Sequence, residues 1–184
     1  MIFLTVGTHL PFERLVRTID AWCAEHPAQQ VFGQIGDPGR HGYRPRHFNW
    51  QPFLDPSEAQ ARFDASDIII AHAGMGTIIT ALLKAKPVVI LPRRVALGEH
   101  RNDHQYATAQ EFSARALVYA ATSETEIPAA VEAALAHGNA TAGAGEFAED
   151  RLLHTLRDFI HAPRQGTTSA KQLWLQRDLD RRKT

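Results

Sequence analysis

The stretch that decides the fold is Asp67-Ile-Ile-Ile-Ala-His-Ala-Gly-Met-Gly-Thr77, followed after one helix length by Lys86-Pro-Val-Val-Ile-Leu-Pro92. Residues 68–72 form a continuous apolar run that ends in a glycine turn, which is typical of a parallel strand buried on both faces. Residues 88–91 repeat the pattern and predict the next parallel strand. The whole stretch therefore predicts a βαβ unit.

The glycine turn inside this unit predicts an anion site. Gly74 and Gly76 supply the tight turn, and Thr77 is expected to be the N-cap of the following helix. The first N–H groups of that helix would then point outward at the positive end of its dipole. A helix start at the carboxyl edge of a parallel sheet is a common seat for phosphate.

The chain opens with a second strand, loop and helix. Residues 2–6 predict a buried strand, Gly7-Thr-His-Leu-Pro11 a loop, and residues 12–23 an amphipathic helix. Parallel strands would bring this loop to the same sheet edge as the glycine turn. His9 is therefore a candidate catalytic residue, with a merely solvated loop histidine as the alternative.

The remaining elements complete an α/β pattern with a Rossmann-like parallel sheet. Residues 30–35, 47–53 and 116–120 predict further extended segments, and Asp55-Pro56 predicts a capped helix start. We assign residues 1–137 to one domain, 138–146 to a linker of small residues, and 147–184 to C-terminal helices. Those helices are basic and amphipathic, which favours either packing on the domain or docking a partner.

Bulk properties exclude several classes. The 184 residues carry no net formal charge, which argues against nucleic acid as a partner. No apolar run reaches the roughly 20 residues of a membrane span, and the start does not resemble a signal peptide. The single cysteine, Cys23, is compatible with a reducing compartment. The sequence therefore predicts a cytoplasmic protein.

A polar loop follows the second strand of the opening stretch, at the same predicted sheet edge. It contains Arg93, Arg94, Glu99, His100, Arg101, Asn102, Asp103, His104 and Gln105. Beside a phosphate seat, such a set of donors and acceptors is what recognition of several hydroxyl groups requires. His100 and His104 also have the spacing of two zinc ligands on a helix, but the flanking glutamate of the H-E-x-x-H pattern is absent, so we predict no metal site.

Three motifs carry a family resemblance: Phe3-Leu-Thr-Val-Gly-Thr8, His72-Ala-Gly-Met-Gly-Thr77 and Gly98-Glu-His-Arg-Asn-Asp-His-Gln105. In this order, over roughly residues 1–135, they resemble the C-terminal, donor-binding half of family 28 glycosyltransferases. The resemblance is to the free-standing form that occurs as the soluble subunit of two-component enzymes. It implies the C-terminal half of a GT-B fold, with a UDP-sugar as donor substrate and no other cofactor.

The resemblance also implies roles for individual residues. Negative charge on the departing phosphate would be stabilised by the helix start together with Arg93 or His100, and His9 is the third catalytic candidate. In many relatives a glutamate holds the ribose where this chain has Thr80. The residues implied in donor binding are Gly7, Thr8, His72, Gly74, Met75, Gly76, Thr77, Glu99, Asn102, Asp103 and Gln105.

The implied reaction is hexosyl transfer to a lipid-linked sugar acceptor in exopolysaccharide synthesis. Arg93, Arg94 and Arg101 favour the carboxylate of UDP-glucuronate as donor, ahead of UDP-N-acetylglucosamine and a UDP-hexose. A general base is missing, so we expect a membrane-anchored, acceptor-binding subunit to supply it and to recruit this chain to the inner face of the membrane.

Other classes of function stay open. One alternative is a non-catalytic nucleotide-sugar-binding regulatory module. A nucleotide-sugar epimerase would need a second such half and an acidic pair. A dinucleotide oxidoreductase would need a third glycine after Gly76 and an acidic residue about 20 positions on.

Overall fold

The structure, a computed structural model, describes residues 1–141 of the chain, with side chains up to residue 137. Its strands are β1 Ile2–Thr5, β2 Val31–Gln34, β3 Asn49–Gln51, β4 Ile68–His72, β5 Val88–Leu91 and β6 Val118–Ala120. Its α-helices are α1 Glu13–Glu25, α2 Pro56–Ala65, α3 Met75–Leu83, α4 His104–Phe112 and α5 Ile127–Thr141. Short 3-10 helices occupy Val95–Leu97 and Glu124–Glu126.

The six strands form one sheet in the order β3-β2-β1-β4-β5-β6, and every neighbouring pair is parallel. In the centre, Ile2 of β1 lies beside Ile68 of β4, and Thr5 beside Ala71. This is the doubly wound order in which the strand sequence reverses between β1 and β4. The predicted α/β class and Rossmann-like parallel sheet are confirmed, and the reversal point marks the carboxyl edge where such folds bind ligands.

Helices cover both faces of the sheet, which explains the continuous apolar strands. Ile68 and Ile70 pack in one cluster with Ile19 of α1 and Val131 of α5, and all four side chains are fully buried. On the opposite face, the ring of Phe3 meets that of Phe63 from α2 edge to face, with centroids 6.3 Å apart. Alternate residues of each central strand therefore point into two separate apolar layers.

Two helix starts test the capping predictions. Asp55 caps α2 as predicted, because its Oδ1 accepts a hydrogen bond from the Glu58 N–H at 2.8 Å. The Thr77 prediction is wrong: Gly74 is the N-cap of α3, and its carbonyl accepts the Ile78 N–H at 3.1 Å. Gly74 itself adopts the extended conformation that a cap needs, so the helix begins earlier than expected.

The last described helix, α5, extends to Thr141, four residues past the predicted end of the domain. The rest of the predicted linker and the predicted C-terminal helices lie outside the described residues. No helix within residues 1–141 is long and apolar enough to cross a membrane.

Candidate functional site

Two glycine segments meet at the carboxyl edge, where the strand order reverses. The first glycine loop, residues 7–11, follows β1, and the second glycine turn, residues 73–76, follows β4. Gly7 has φ +77°, and a Cβ on it would lie 2.9 Å from His72 Cε1. A Cβ on Gly74 would lie 2.3 Å from His72 Nε2. Glycine is therefore required at both positions, because the backbone closes on the His72 imidazole from two sides.

His72 lies between these segments with an unsatisfied polar atom. Its Nδ1 is buried and has no hydrogen-bond partner. Burial, and then the positive charge of Arg93, lower the pKa of His72 to about 4; a hydrogen bond with the Thr5 backbone opposes this shift, and His100 adds the smallest lowering effect. The imidazole is therefore neutral at pH 7. The sequence places His72 among the donor-binding residues, and the structure leaves its Nδ1 buried and unpaired, which is the kind of polar atom that calls for an explanation.

The start of α3 presents unpaired backbone donors next to His72. The first hydrogen bond into this helix is the one from Ile78 N–H to Gly74, so the N–H groups of residues 75–77 have no partner within the described chain. Gly76 is exposed, and a Cβ built on it meets nothing within 4 Å. The predicted helix start with free amides is thus present, with Gly74 rather than Thr77 as its cap, and phosphate binding there stays a prediction. The Thr80 hydroxyl donates to the Gly76 carbonyl at 2.8 Å, so it is already engaged inside the helix.

Arg93 is not available to contact a phosphate, contrary to the sequence prediction. It is 2% exposed, and its guanidinium lies over the Phe12 ring at 4.6 Å. Burial lowers the pKa of Arg93 to about 10, so it stays protonated at neutral pH. Its Nη atoms donate to four backbone carbonyls, those of Val6 at 3.0 Å, Leu10 at 2.5 Å, Pro11 at 2.8 Å and Glu99 at 3.3 Å. Its contacts are with protein backbone.

Glu99 was predicted to contact the donor, and the structure places its carboxylate in an ion pair instead. Arg14 of α1 donates to both Glu99 oxygens, at 2.9 and 2.8 Å, and to the Pro92 carbonyl at 2.9 Å. The Arg94 N–H donates to the same carboxylate at 2.9 Å. Arg14 also reaches Glu124 at 3.0 Å, so it joins α1 to two loops. Nothing in the helical pattern of residues 12–23 distinguished Arg14 from a solvated arginine.

Gln105 is likewise turned inward rather than toward a sugar. It is 3% exposed, and its Oε1 accepts the Arg93 N–H at 3.1 Å. A second buried amide, Gln34 at the end of β2, was missed by the sequence analysis. Its Nε2 donates to the Gly7 carbonyl at 3.2 Å, while its Oε1 accepts the Leu54 N–H at 3.3 Å. The only sequence signal for Gln34 is that a polar residue ends an apolar strand.

The remaining predicted residues line the rim of the site. Thr8, His9, Asn102 and Asp103 are exposed, and His100 is partly exposed. The His100 and His104 rings meet edge to face with centroids 4.7 Å apart, and His104 Nδ1 contacts the Asn102 side-chain oxygen. Within residues 1–141, no group of three or more His, Cys, Asp or Glu side chains is arranged to hold a metal ion.

A cavity of about 510 Å³ lies at the opposite, amino edge of the sheet. Its lining includes Gln30, Arg46, Asn49 and Arg62, and none of the predicted site residues. This cavity is an alternative place for a ligand. We favour the carboxyl edge, because the glycine turns, the unpaired helix-start amides and the buried His72 nitrogen occur together only there among the described residues.

The doubly wound sheet, with glycine turns at its reversal point, defines a Rossmann-like domain of the kind that forms the C-terminal half of a GT-B fold. The sequence profile of the glycosyltransferase family 28 C-terminal domain matches residues 1–156. The chain therefore belongs to this family and corresponds to its donor-binding domain. No curated protein matches the chain at a significant level.

Solved structures support the fold assignment. The glycotransferase of kitacinnamycin is 21% identical, with a TM-score of 0.58 over 96% of this chain and 42% of that one. CalG4, the calicheamicin glycosyltransferase, is 14% identical, with a TM-score of 0.55 over 98% of this chain and 43% of that one. The NMR structure of ALG13 is 20% identical, with a TM-score of 0.52 over 74% of this chain and 86% of that one. The chain thus spans less than half the length of two of these proteins and most of the third.

Proposed function

We propose that the chain is the donor-binding catalytic subunit of a UDP-sugar-dependent glycosyltransferase. The observation that carries this proposal is the set of unpaired first-turn amides of α3, which lie beside two glycine segments that close on the His72 ring. A nucleoside diphosphate supplies the anionic oxygens that such a site lacks. Family membership favours a sugar-linked diphosphate over a free one.

The chemistry would be leaving-group stabilisation. As the bond between the sugar carbon and the phosphate oxygen breaks, negative charge grows on the β-phosphate. Backbone donors fixed at the start of α3 act on this charge without reorganisation, and the neutral His72 ring packs between the two glycine segments that shape the site. His100 and His9 on the rim remain proposed contacts. We propose no cofactor besides the donor, and activity that persists after chelation with EDTA would support this.

The donor sugar depends on which cations face it. Arg93 does not support glucuronate as the donor, because its guanidinium donates to backbone carbonyls. Arg94 donates to the Thr122 carbonyl at 2.6 Å, whereas Arg101 is exposed in the same loop. UDP-glucuronate therefore remains the first donor to test, on the strength of Arg101 chiefly. A competition binding experiment with UDP-glucuronate, UDP-N-acetylglucosamine and UDP-glucose would identify the preferred donor. Loss of a glucuronate preference in Arg101→Ala would show that Arg101 binds the carboxylate.

The acceptor half is proposed to come from a membrane-anchored partner that brings a general base and the lipid-linked acceptor. Large apolar side chains are exposed on loops at the carboxyl edge: Leu10 42%, Phe53 49%, Val95 38% and Leu97 56%. Exposed apolar groups gathered around a site are typical of a protein interface.

The test is sugar transfer from labelled UDP-sugar into lipid extracts, with the chain alone and with membranes from its source organism. We expect turnover only when both are present, and loss of turnover when His72→Ala replaces the wild-type chain. Robust transfer by the chain alone would contradict the two-component proposal. Donor binding without turnover in the presence of membranes would favour the regulatory-module alternative.

A further inference from the structure

The first glycine loop is held by hydrogen bonds that the sequence did not predict. Its two ends are tied down, because the Val6 carbonyl before it and the Leu10 and Pro11 carbonyls at its end all accept hydrogen bonds from Arg93. The N–H groups of Thr8 and His9, in its middle, have no hydrogen bond to any described residue. The loop therefore has fixed ends and free backbone donors between them.

The cation that ties this loop is itself rigidly held. Gln105 accepts the Arg93 backbone N–H, and the Phe12 ring packs under the guanidinium. The fourth carbonyl bound by Arg93 belongs to Glu99, whose side chain is fixed by Arg14. An arginine fork can satisfy several carbonyls at once, which an ammonium cannot match in geometry. A buried charge with all these partners orders the chain segments that surround it.

Building on the proposed function, we propose that Arg93 is a positioning residue that makes the first glycine loop the second half of the diphosphate seat. By fixing both ends of the loop, it holds the Thr8 and His9 amides in place opposite the start of α3 before the ligand arrives. Ordering the loop in advance removes an entropy loss that binding would otherwise include. Arg93 itself does not touch the ligand.

Three variants separate this role from general stability. Arg93→Met keeps the side-chain length without the donors, and Arg93→Lys keeps the charge with fewer donors in a different geometry. Arg44→Met is the matched control, because Arg44 is exposed and donates to the Gly39 and Gly42 carbonyls of another loop. The measurements are NMR titrations with UDP and with uridine, and backbone ¹⁵N order parameters of the unliganded chain.

We expect Arg93→Met to weaken UDP binding about tenfold or more while leaving uridine binding unchanged, because only the phosphates would use the loop amides. Order parameters should fall over residues 7–10 and not over residues 75–77. Arg93→Lys should lie between wild type and Arg93→Met, and it decides the question if Arg93→Met does not fold. Arg44→Met should match wild type.

A folded Arg93→Met, or failing that Arg93→Lys, with wild-type order parameters over residues 7–10 and a wild-type ratio of UDP to uridine affinity would overturn the proposal. If the wild-type chain does not bind UDP, the proposed function fails instead. The order parameters then still decide whether Arg93 orders the loop.

Discussion

At the scale of single residues, the space around His72 separates the roles of two glycines that look equivalent in the sequence. A Cβ at Gly74 would press on the imidazole at 2.3 Å, whereas Gly76 has open space around it. We expect Gly74→Ala to lower the free energy of unfolding by about 1–3 kcal/mol through overpacking. Gly76→Ala, the control, should raise it by up to about 1 kcal/mol, because alanine favours the helix. Urea unfolding measures both, and equal effects of the two variants would show that the backbone does not close on His72.

The same imidazole predicts a pH dependence of stability. Folding lowers the pKa of His72 from 6.5 to about 4, so the unfolded chain binds more protons between these values. Stability is therefore unaffected by this group above pH 6.5 and falls as the pH drops toward 4. We expect wild type to lose on the order of 1–2 kcal/mol more than His72→Gln between pH 7 and pH 5. Parallel pH profiles of the two chains by chemical unfolding would contradict a buried neutral histidine.

At the scale of elements, α1 is joined to the loop after β5 by the pair Arg14–Glu99. The two side chains are only 11% and 12% exposed, so removing the Glu99 charge leaves a mostly buried guanidinium with fewer partners. We expect Glu99→Gln to lower the free energy of unfolding by about 2–4 kcal/mol. Glu58→Gln is the control, because the Glu58–Arg62 pair has both side chains 35% exposed and should change stability by less than about 1 kcal/mol. An equally small effect of both substitutions in denaturant titrations would show that the Arg14–Glu99 pair does not stabilise the fold.

Elements were predictable from sequence where one periodic signal decided them. The bounds of β4 and β5 follow from apolar runs that end at glycine or proline, and Asp55-Pro56 marked the start of α2. The polar loop after β5 was located correctly at the carboxyl edge. What its side chains do was not predictable, because the partners of Arg93, Glu99 and Gln105 include residues 12 to 87 positions away in the chain. The local sequence pattern around a polar residue is the same whether its side chain faces a ligand or a buried carbonyl.

At the scale of the whole molecule, the apolar carboxyl edge predicts an interface with the proposed acceptor-binding partner. We expect Leu97→Glu to leave thermal stability and UDP binding unchanged, because this side chain is 56% exposed, and to reduce membrane-dependent sugar transfer. Leu83→Glu is the matched control: Leu83 is 51% exposed but ends α3, at the other end of that helix from the glycine turn. Transfer that is unaffected by Leu97→Glu, or reduced equally by Leu83→Glu, would place the interface elsewhere.

The central claim is that a nucleoside diphosphate binds where the strand order reverses between β1 and β4. The most direct measurement is a crystal structure of the chain with UDP. The account predicts phosphate oxygens at about 2.7–3.2 Å from the backbone nitrogens of residues 75–77. UDP bound instead in the amino-edge cavity beside Arg46 and Arg62, or absent at saturating concentration, would contradict it.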